Sequence, residues 1–305
     1  MKMGNYARIT VLMICYKQEL LIKRALDSIL CQRQYGLKEI IISDDCSPDN
    51  TWGVIQQYKE RYPEFINAHR NDWNLGIYPN LEKANSFVKD TDFIIHCSGD
   101  DAIEDGYLKA VQDVIKDNNI NSQEDSVTLY GDFKIVVPSG KEIIFKQTLY
   151  KKGYSSTDLL IKGLLKNRSS LVTYALFKRY KPLDLTNIGR GEFSQEIQQH
   201  ILERQRFYVP AIGNIYYANI GVSRTMLSRD CLRERIDETQ WELDTFPMNA
   251  DCRNLLLSRI MEYKYSQDKR SVFFFKYWYY YCMSKPGFHP REVLRMIYYM
   301  LFKKR

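Results

Sequence analysis

The sequence predicts an α/β protein, with a mainly parallel central sheet flanked by helices and a helical extension at its carboxyl end. Three observations carry this prediction. Short apolar runs at Ile9–Cys15, Glu39–Ser43 and Phe93–Ser98 read as strands, the first of them so continuously apolar that both its faces must be buried. Stretches with helical apolar spacing alternate with these runs, which is the pattern of a parallel sheet built with right-handed crossovers. Each run also ends abruptly in a polar turn, at the sheet edge where open α/β folds bind ligands.

In chain order, Ile9–Cys15 leads through Tyr16-Lys17-Gln18 into a helix from about Glu19, where Leu21, Ile22, Ala25, Leu26, Ile29 and Leu30 recur at helical spacing. The second strand, Glu39–Ser43, opens into Asp44-Asp45-Cys46-Ser47-Pro48-Asp49-Asn50-Thr51, a turn-forming run that feeds a helix to Tyr62. A short strand near Ile66–His69 and a helix over Tyr78–Val88 precede the strand Phe93–Ser98, and Asp105–Asn118 is helical. Beyond Val127 the pattern loosens. Short strands are expected at Val127–Tyr130, Phe133–Val137, Glu142–Phe145 and Leu171–Phe177, the second and third of these joined by Pro138-Ser139-Gly140 as a hairpin. Helices are expected at Thr157–Leu165 and Phe193–Arg204. A first domain therefore spans residues 1–228, and residues 229–305 form a helical, aromatic and basic extension.

The stretch with the strongest chemical character follows Phe93-Ile94-Ile95. There Cys97-Ser98-Gly99 turns the chain and presents Asp100 and Asp101 side by side. Adjacent carboxylates repel unless a cation lies between them, and a hard divalent metal carrying phosphate oxygens supplies one. The same acids could instead cap the helix that follows. The four histidines have no metal-ligand spacing, and His96, inside a strand, reads as a satisfied core residue.

Four segments, in order and at matching spacing, resemble the inverting family-2 glycosyltransferases. They are Ile9–Gln32 with its S-I-L-x-Q helix end, Glu39–Thr51 with D-D-x-S-x-D-x-T, Asn74–Ala84 with N-x-G, and Ser98–Leu108 as the aspartate motif. The resemblance implies a GT-A fold, a nucleotide-sugar donor (UDP-linked by preference) and transfer with inversion to a glycan or lipid-linked acceptor in surface polysaccharide synthesis. It assigns donor contacts to Cys15, Tyr16, Asp44, Asp45, Asn74, Gly76, Asn80, Ser98, Gly99 and Asp100. A uracil base needs an aromatic floor and an acceptor for its imide N–H, which Tyr16 and Asp45 could supply, although Tyr16 could equally pack as an edge aromatic on the first helix. One of Asp44 and Asp45 is left with only an Asx-turn role, and the family pattern favours Asp45 for the base.

The chain departs from the family's commoner D-x-D-D form, because Ser98 stands at the first acid. Holding Mn²⁺ or Mg²⁺ then falls to Asp100 and Asp101, either of which could be the direct ligand. Inversion needs one general base and no enzyme nucleophile. The family places that acid at a helix start; here it is Glu192 or, one turn on, Glu196, and the usual Glu-Asp pair is absent.

Composition narrows the remaining choices. The net charge of +7 is concentrated toward the carboxyl end, without a nucleic-acid recognition motif, so nucleic acid is not an expected partner. The seven scattered cysteines include no CxxC pair and fit a reducing compartment. The apolar run at Ile9–Cys15 is too short for a signal peptide or a membrane span. Between Arg270 and Arg305 a Phe/Tyr/Trp block accompanies eight basic residues, a combination suited to an anionic membrane surface. The expected location is cytoplasmic, peripheral on the inner face of the cell membrane. Two other readings stay open. A nucleotidyltransferase would want a glycine-rich basic loop after the first strand, which Tyr16-Lys17-Gln18-Glu19 is not, and a non-catalytic membrane-bound partner would keep the fold without the base.

Overall fold

A computed structural model describes residues 6–146, 169–178, 205–218, 229–245, 248 and 250–284. The chain separates into two compact units; among the described residues, one holds nine strands and five helices and the other three helices.

In the first unit the elements run β1 (Ile9–Cys15), α1 (Ile22–Leu30), β2 (Leu37–Asp44), α2 (Thr51–Arg61), β3 (Ile66–Arg70), α3 (Ile77–Ser86) and β4 (Phe93–His96). They continue with β5 (Ala102–Ile103), α4 (Tyr107–Asp117), β6 (Val127–Val136), β7 (Glu142–Phe145), β8 (Ser169–Thr173), α5 (Tyr174–Lys178) and β9 (Gln205–Tyr217). The strands form one sheet in the order β3-β2-β1-β4-β8-β6-β9-β5, with β7 pairing β6. The first four are parallel, as expected from the alternating pattern. Beyond β4 the sheet is mixed rather than mainly parallel, since β8 runs antiparallel to both β4 and β6 while β9 is parallel to β6.

The continuous apolar run of β1 has a direct explanation. Its odd-numbered residues Ile9, Val11, Met13 and Cys15 join one core with α1, α2 and α4, and Leu12 joins a second with Ile41, Ile94, Val172 and Leu176 on the opposite face. Both faces are covered, so alternation with polar residues has no place. Each such buried aliphatic side chain contributes roughly 1.5–3 kcal/mol of transfer free energy.

Several boundaries differ from the sequence reading. The run Leu171–Phe177 is not one strand, because β8 ends at Thr173 and the chain turns into α5. Thr173 Oγ1 accepts a hydrogen bond from Leu176 N at 3.3 Å, capping that helix start. The segments Val127–Tyr130 and Phe133–Val137 are a single strand that runs through Gly131 with register shifts against β9. A Cβ at Gly131 would meet the ring of Tyr107, so a glycine permits the close approach of α4. The two-residue β5 was not foreseen. The expected hairpin is present, with Val136 opposite Glu142 and Gly140 in the left-handed region. The helices expected at Thr157–Leu165 and Phe193–Arg204, and the terminal segment Arg291–Arg305, lie outside the described residues.

The second unit contains α6 (Arg229–Thr245), α7 (Ala250–Asp268) and α8 (Ser271–Met283). Leu243, Cys252, Leu256 and Ile260 form its core. The aromatic block lies on α8, where Phe274 meets Tyr265 of α7 at 5.4 Å between ring centroids. Val272, Phe275, Tyr279 and Met283 are exposed instead, at three- and four-residue spacing along one face. Among the described residues no helix is long and apolar enough to cross a membrane.

Candidate active site

Parallel pairing of β1 with β2 sets Cys15 opposite Asp44, so the exits of the two strands lie together at the carboxyl edge. Asp45 N then donates to the Cys15 carbonyl at 2.9 Å. The two adjacent acids part company here. Asp44 is fully buried and closes its own turn, accepting from the backbone N–H of Ser47 at 3.2 Å and from the Ser47 hydroxyl. Arg70 Nε stands 3.3 Å from Oδ2, the same oxygen that accepts from Ser47 N. Asp45, only 3% exposed, holds the neighbouring loop. It accepts from Asn71 Nδ2, from Leu75 N and from Gly76 N, each at 2.8 Å. Gly76, with φ of 85°, starts α3 in a conformation that a side chain would strain.

This geometry divides the expected donor contacts. Asn80 is buried, its Oδ1 accepting from Ser43 Oγ at 2.6 Å and Asn71 Nδ2 at 2.9 Å while its Nδ2 donates to the Ser43 carbonyl at 3.1 Å. It props Asn71, and through it Asp45, from within instead of facing the edge. The Cys15 thiol is likewise enclosed, 3.8 Å from Asp44 Oδ1, and burial followed by the neighbouring Asp44 charge pushes its pKa well up. Cys15 thus belongs to the core under β1, while Asn80 belongs to a buried polar network with Ser43 and Asn71. Tyr16 and Asn74 are exposed, and Lys17 Nζ lies 5.1 Å from the Tyr16 ring centroid.

The third exit carries the aspartate turn. Past His96 the chain keeps following β1, with Cys97 N donating to Leu12 O at 3.0 Å and Gly99 N to Ile14 O at 3.2 Å. Asp101 N donates back to Ser98 O at 3.1 Å, closing the turn, and β5 then pairs with Asn214 and Ile215 of β9. Ser98, Asp100 and Asp101 are half-buried and within reach of solvent. Burial pushes the Asp100 carboxyl up, and the nearby Arg24 charge draws it back down. A Cβ at Gly99 would collide with Gln18 Oε1 and press on Cys15 Cβ at 3.1 Å, so the β1 exit and the aspartate turn touch at this glycine. Gln18 is 8% exposed, and among the described residues its Oε1 has no partner. His96, expected as a core residue, is half-buried, and burial lowers its pKa to about 4, which leaves the imidazole neutral.

One face of α1 holds the aspartate segment by its backbone. Arg24 Nη2 donates to the Asp100 carbonyl at 2.5 Å. Ser28 Oγ accepts from Ile103 N at 3.1 Å. Gln32 donates to the Glu104 carbonyl at 3.0 Å and accepts from Leu108 N at 3.1 Å. Residues four apart share a helix face, which is why Arg24 and Ser28 of α1 reach the same strand-turn-helix segment, and Gln32 joins them from the turn just past the end of α1. Ser28 and Gln32 were visible as motif letters; Arg24 and Gln18 were not singled out, because a cation and an amide at a helix start read as solvated residues.

Among the described residues no group of three or more His, Cys, Asp or Glu is arranged to hold a metal ion. Two adjacent, reachable carboxylates fit a divalent cation that takes its other oxygens from a diphosphate and water, the usual way Mg²⁺ is held. Glu192 and Glu196 lie outside the described residues.

Residues 10–157 match the glycosyl transferase family 2 profile. An uncharacterized Mycobacterium tuberculosis protein is 26% identical over 161 residues, covering 52% of this chain and 45% of the relative. A Mycoplasma pneumoniae processive diacylglycerol beta-glycosyltransferase is 27% identical over 115 residues, covering 37% and 33%. The chain thus spans less than half the length of these relatives. Among solved structures, residues 1–349 of S. aureus TarS in complex with UDP-GlcNAc superpose with a TM-score of 0.58 at 16% identity, covering 92% of this chain and 82% of that one. GalNAc-T7 with UDP, GalNAc and Mn²⁺ gives 0.52 at 12% identity, covering 88% and 57%. At these identities the likeness is one of fold.

Proposed function

The chain carries a glycosyl transferase family 2 domain over residues 10–157, and from that premise we propose that it transfers a sugar from a UDP-sugar to a glycan or lipid-linked acceptor in surface polysaccharide synthesis, with inversion. The observation that carries this reading is the pair Asp100–Asp101, reachable at the sheet's carboxyl edge on the turn that meets the β1 exit at Gly99. The named ligands of TarS and GalNAc-T7 support a UDP-linked donor, and the named activity of the mycoplasma relative supports a lipid acceptor.

In this reading Tyr16 floors the base, and Asp45 meets it either directly or through the loop Asn74–Gly76. Asp100 and Asp101 hold Mn²⁺ or Mg²⁺, which when bound neutralises charge on the departing nucleoside diphosphate. Glu192, or Glu196 one turn on, takes the proton from the acceptor hydroxyl. The hydroxyl oxygen bonds to the anomeric carbon as the bond to the diphosphate oxygen breaks, and that oxygen leaves with the electron pair. Residues 1–228 form the catalytic domain and 229–305 the extension. The exposed stripe on α8, with Lys269, Arg270 and Lys276 also exposed near it, supports a peripheral site on an anionic membrane surface at the cytoplasmic face.

The test is sugar release and transfer from UDP-sugars with Mn²⁺. Asp100→Asn and Asp101→Asn should each lower the rate at least ~100-fold where the carboxylate acts only at the transition state. Full turnover by the double variant, or in EDTA, overturns the proposal.

A further inference from the structure

We propose that Arg24 is a positioning residue of the donor turn: its guanidinium locks the Asp100 peptide between α1 and β9 and so fixes where the two carboxylates stand. The inference rests on reading Ser98–Asp101 as the turn that holds the donor.

Three observations meet at this side chain. The bond from Nη2 goes to the peptide oxygen of Asp100 at 2.5 Å and not to its carboxylate, so Arg24 holds the residue by its backbone. The guanidinium lies on the ring of Tyr217, 3.4 Å from its centroid. Tyr217 ends the strand whose residues Asn214 and Ile215 pair with β5 directly after the acids. The turn is therefore anchored on one side by the β5–β9 ladder and on the other by an arginine stacked on the same strand. Arg24 Nε is buried and has no partner among the described residues. Leaving a buried donor unsatisfied is unfavourable, which a solvated arginine on a helix surface would avoid by turning outward. Lysine could supply the charge, but it has no plane to lie on Tyr217 and no fork of donors.

A residue that only stabilised the fold would affect UDP binding alike with and without metal, whereas one that sets the carboxylates would affect the metal-linked part. Calorimetric titration of the full chain with UDP, in Mn²⁺ and in EDTA, separates the two. Arg24→Gln should weaken binding in Mn²⁺ on the order of 10–100-fold, the usual effect of losing a residue that orients metal-site ligands, and should hardly move binding in EDTA. Arg24→Lys should recover part of the loss. Tyr217→Leu should move the same quantity in the same direction, and it carries the test if Arg24→Gln does not fold. Equal losses in Mn²⁺ and EDTA, or wild-type affinity in both variants, overturn the inference. A wild-type protein that binds UDP no better with Mn²⁺ overturns the metal reading first, and the inference with it.

Discussion

Replacing Asp45 by asparagine tests the idea that one carboxylate builds the donor loop. Asp45 Oδ1 accepts from Asn71 Nδ2 and Leu75 N, and Oδ2 accepts from Gly76 N, all at 2.8 Å. In Asp45→Asn the amide oxygen can take the place of Oδ1 and keep two of these bonds. The amide NH₂ then faces the Gly76 N–H, donor against donor, in a site that is 3% exposed. A hydrogen bond to a charged group contributes roughly 1.5–3 kcal/mol, and a buried donor left without a partner costs about 1–3 kcal/mol. The two together give a loss of roughly 2.5–6 kcal/mol by the same scale, and Asp45→Ala should lose at least as much. Urea unfolding followed by tryptophan fluorescence measures it, and UDP titration measures the loosening of Asn74–Gly76. A stability loss below about 1 kcal/mol, less than a single such bond, would refute the reasoning, because it would mean that the loop stands without the carboxylate.

Three other outcomes are expected. Glu192→Gln should abolish transfer and leave UDP affinity nearly intact; normal transfer by this variant with loss in Glu196→Gln would move the base one turn on. In α6, Glu242 is 7% exposed, and burial, partly offset by Arg259, raises its pKa from 4.5 to about 7. Its proton is held more tightly in the folded state, so its contribution to stability is full below pH 4.5 and lost as pH rises through about 7. Glu242→Gln should then gain on the order of 3 kcal/mol at pH 8 and change little at pH 4.5, and parallel pH profiles of unfolding for the two proteins would count against it. Deleting Pro290–Arg305 should release the protein from anionic vesicles in low salt while sparing hydrolysis of the soluble donor; equal vesicle binding with and without the segment rules out its membrane role.

The parallel half of the sheet was legible because burial on both faces leaves an unmistakable record, as in Ile9–Cys15 and Glu39–Ser43. The mixed half was not. Leu171–Phe177 is apolar enough for a strand or a buried helix, and only the cap at Thr173 decides where one becomes the other. Gly131 and Pro210 look like breaks but lie within β6 and β9, where close packing and register shifts absorb them. At the site, the exits of β1, β2 and β4 could be found from the sequence, but not which side chain at each exit turns inward. Asn80 and Cys15 do so. Asp44 and Asp45 are separated by one peptide yet belong to different networks, and only the parallel register that sets Asp44 against Cys15 distributes them. Arg24 escaped notice because its target is a carbonyl 76 residues away, and sequence spacing carries no trace of such a contact.

The grip of α1 and the turn after it on the aspartate segment has a consequence for how such a segment can change over time. Arg24, Ser28 and Gln32 bond to the Asp100 and Glu104 carbonyls and to the Ile103 and Leu108 N–H groups, all of them main-chain atoms. Every amino acid but proline offers the same carbonyl and N–H. The segment is thus addressed without reference to what it carries, and its side chains can be exchanged while its path through space stays fixed. Placement and chemistry are therefore separable here, since side chains of the segment can change while the main chain that Arg24, Ser28 and Gln32 hold keeps its course.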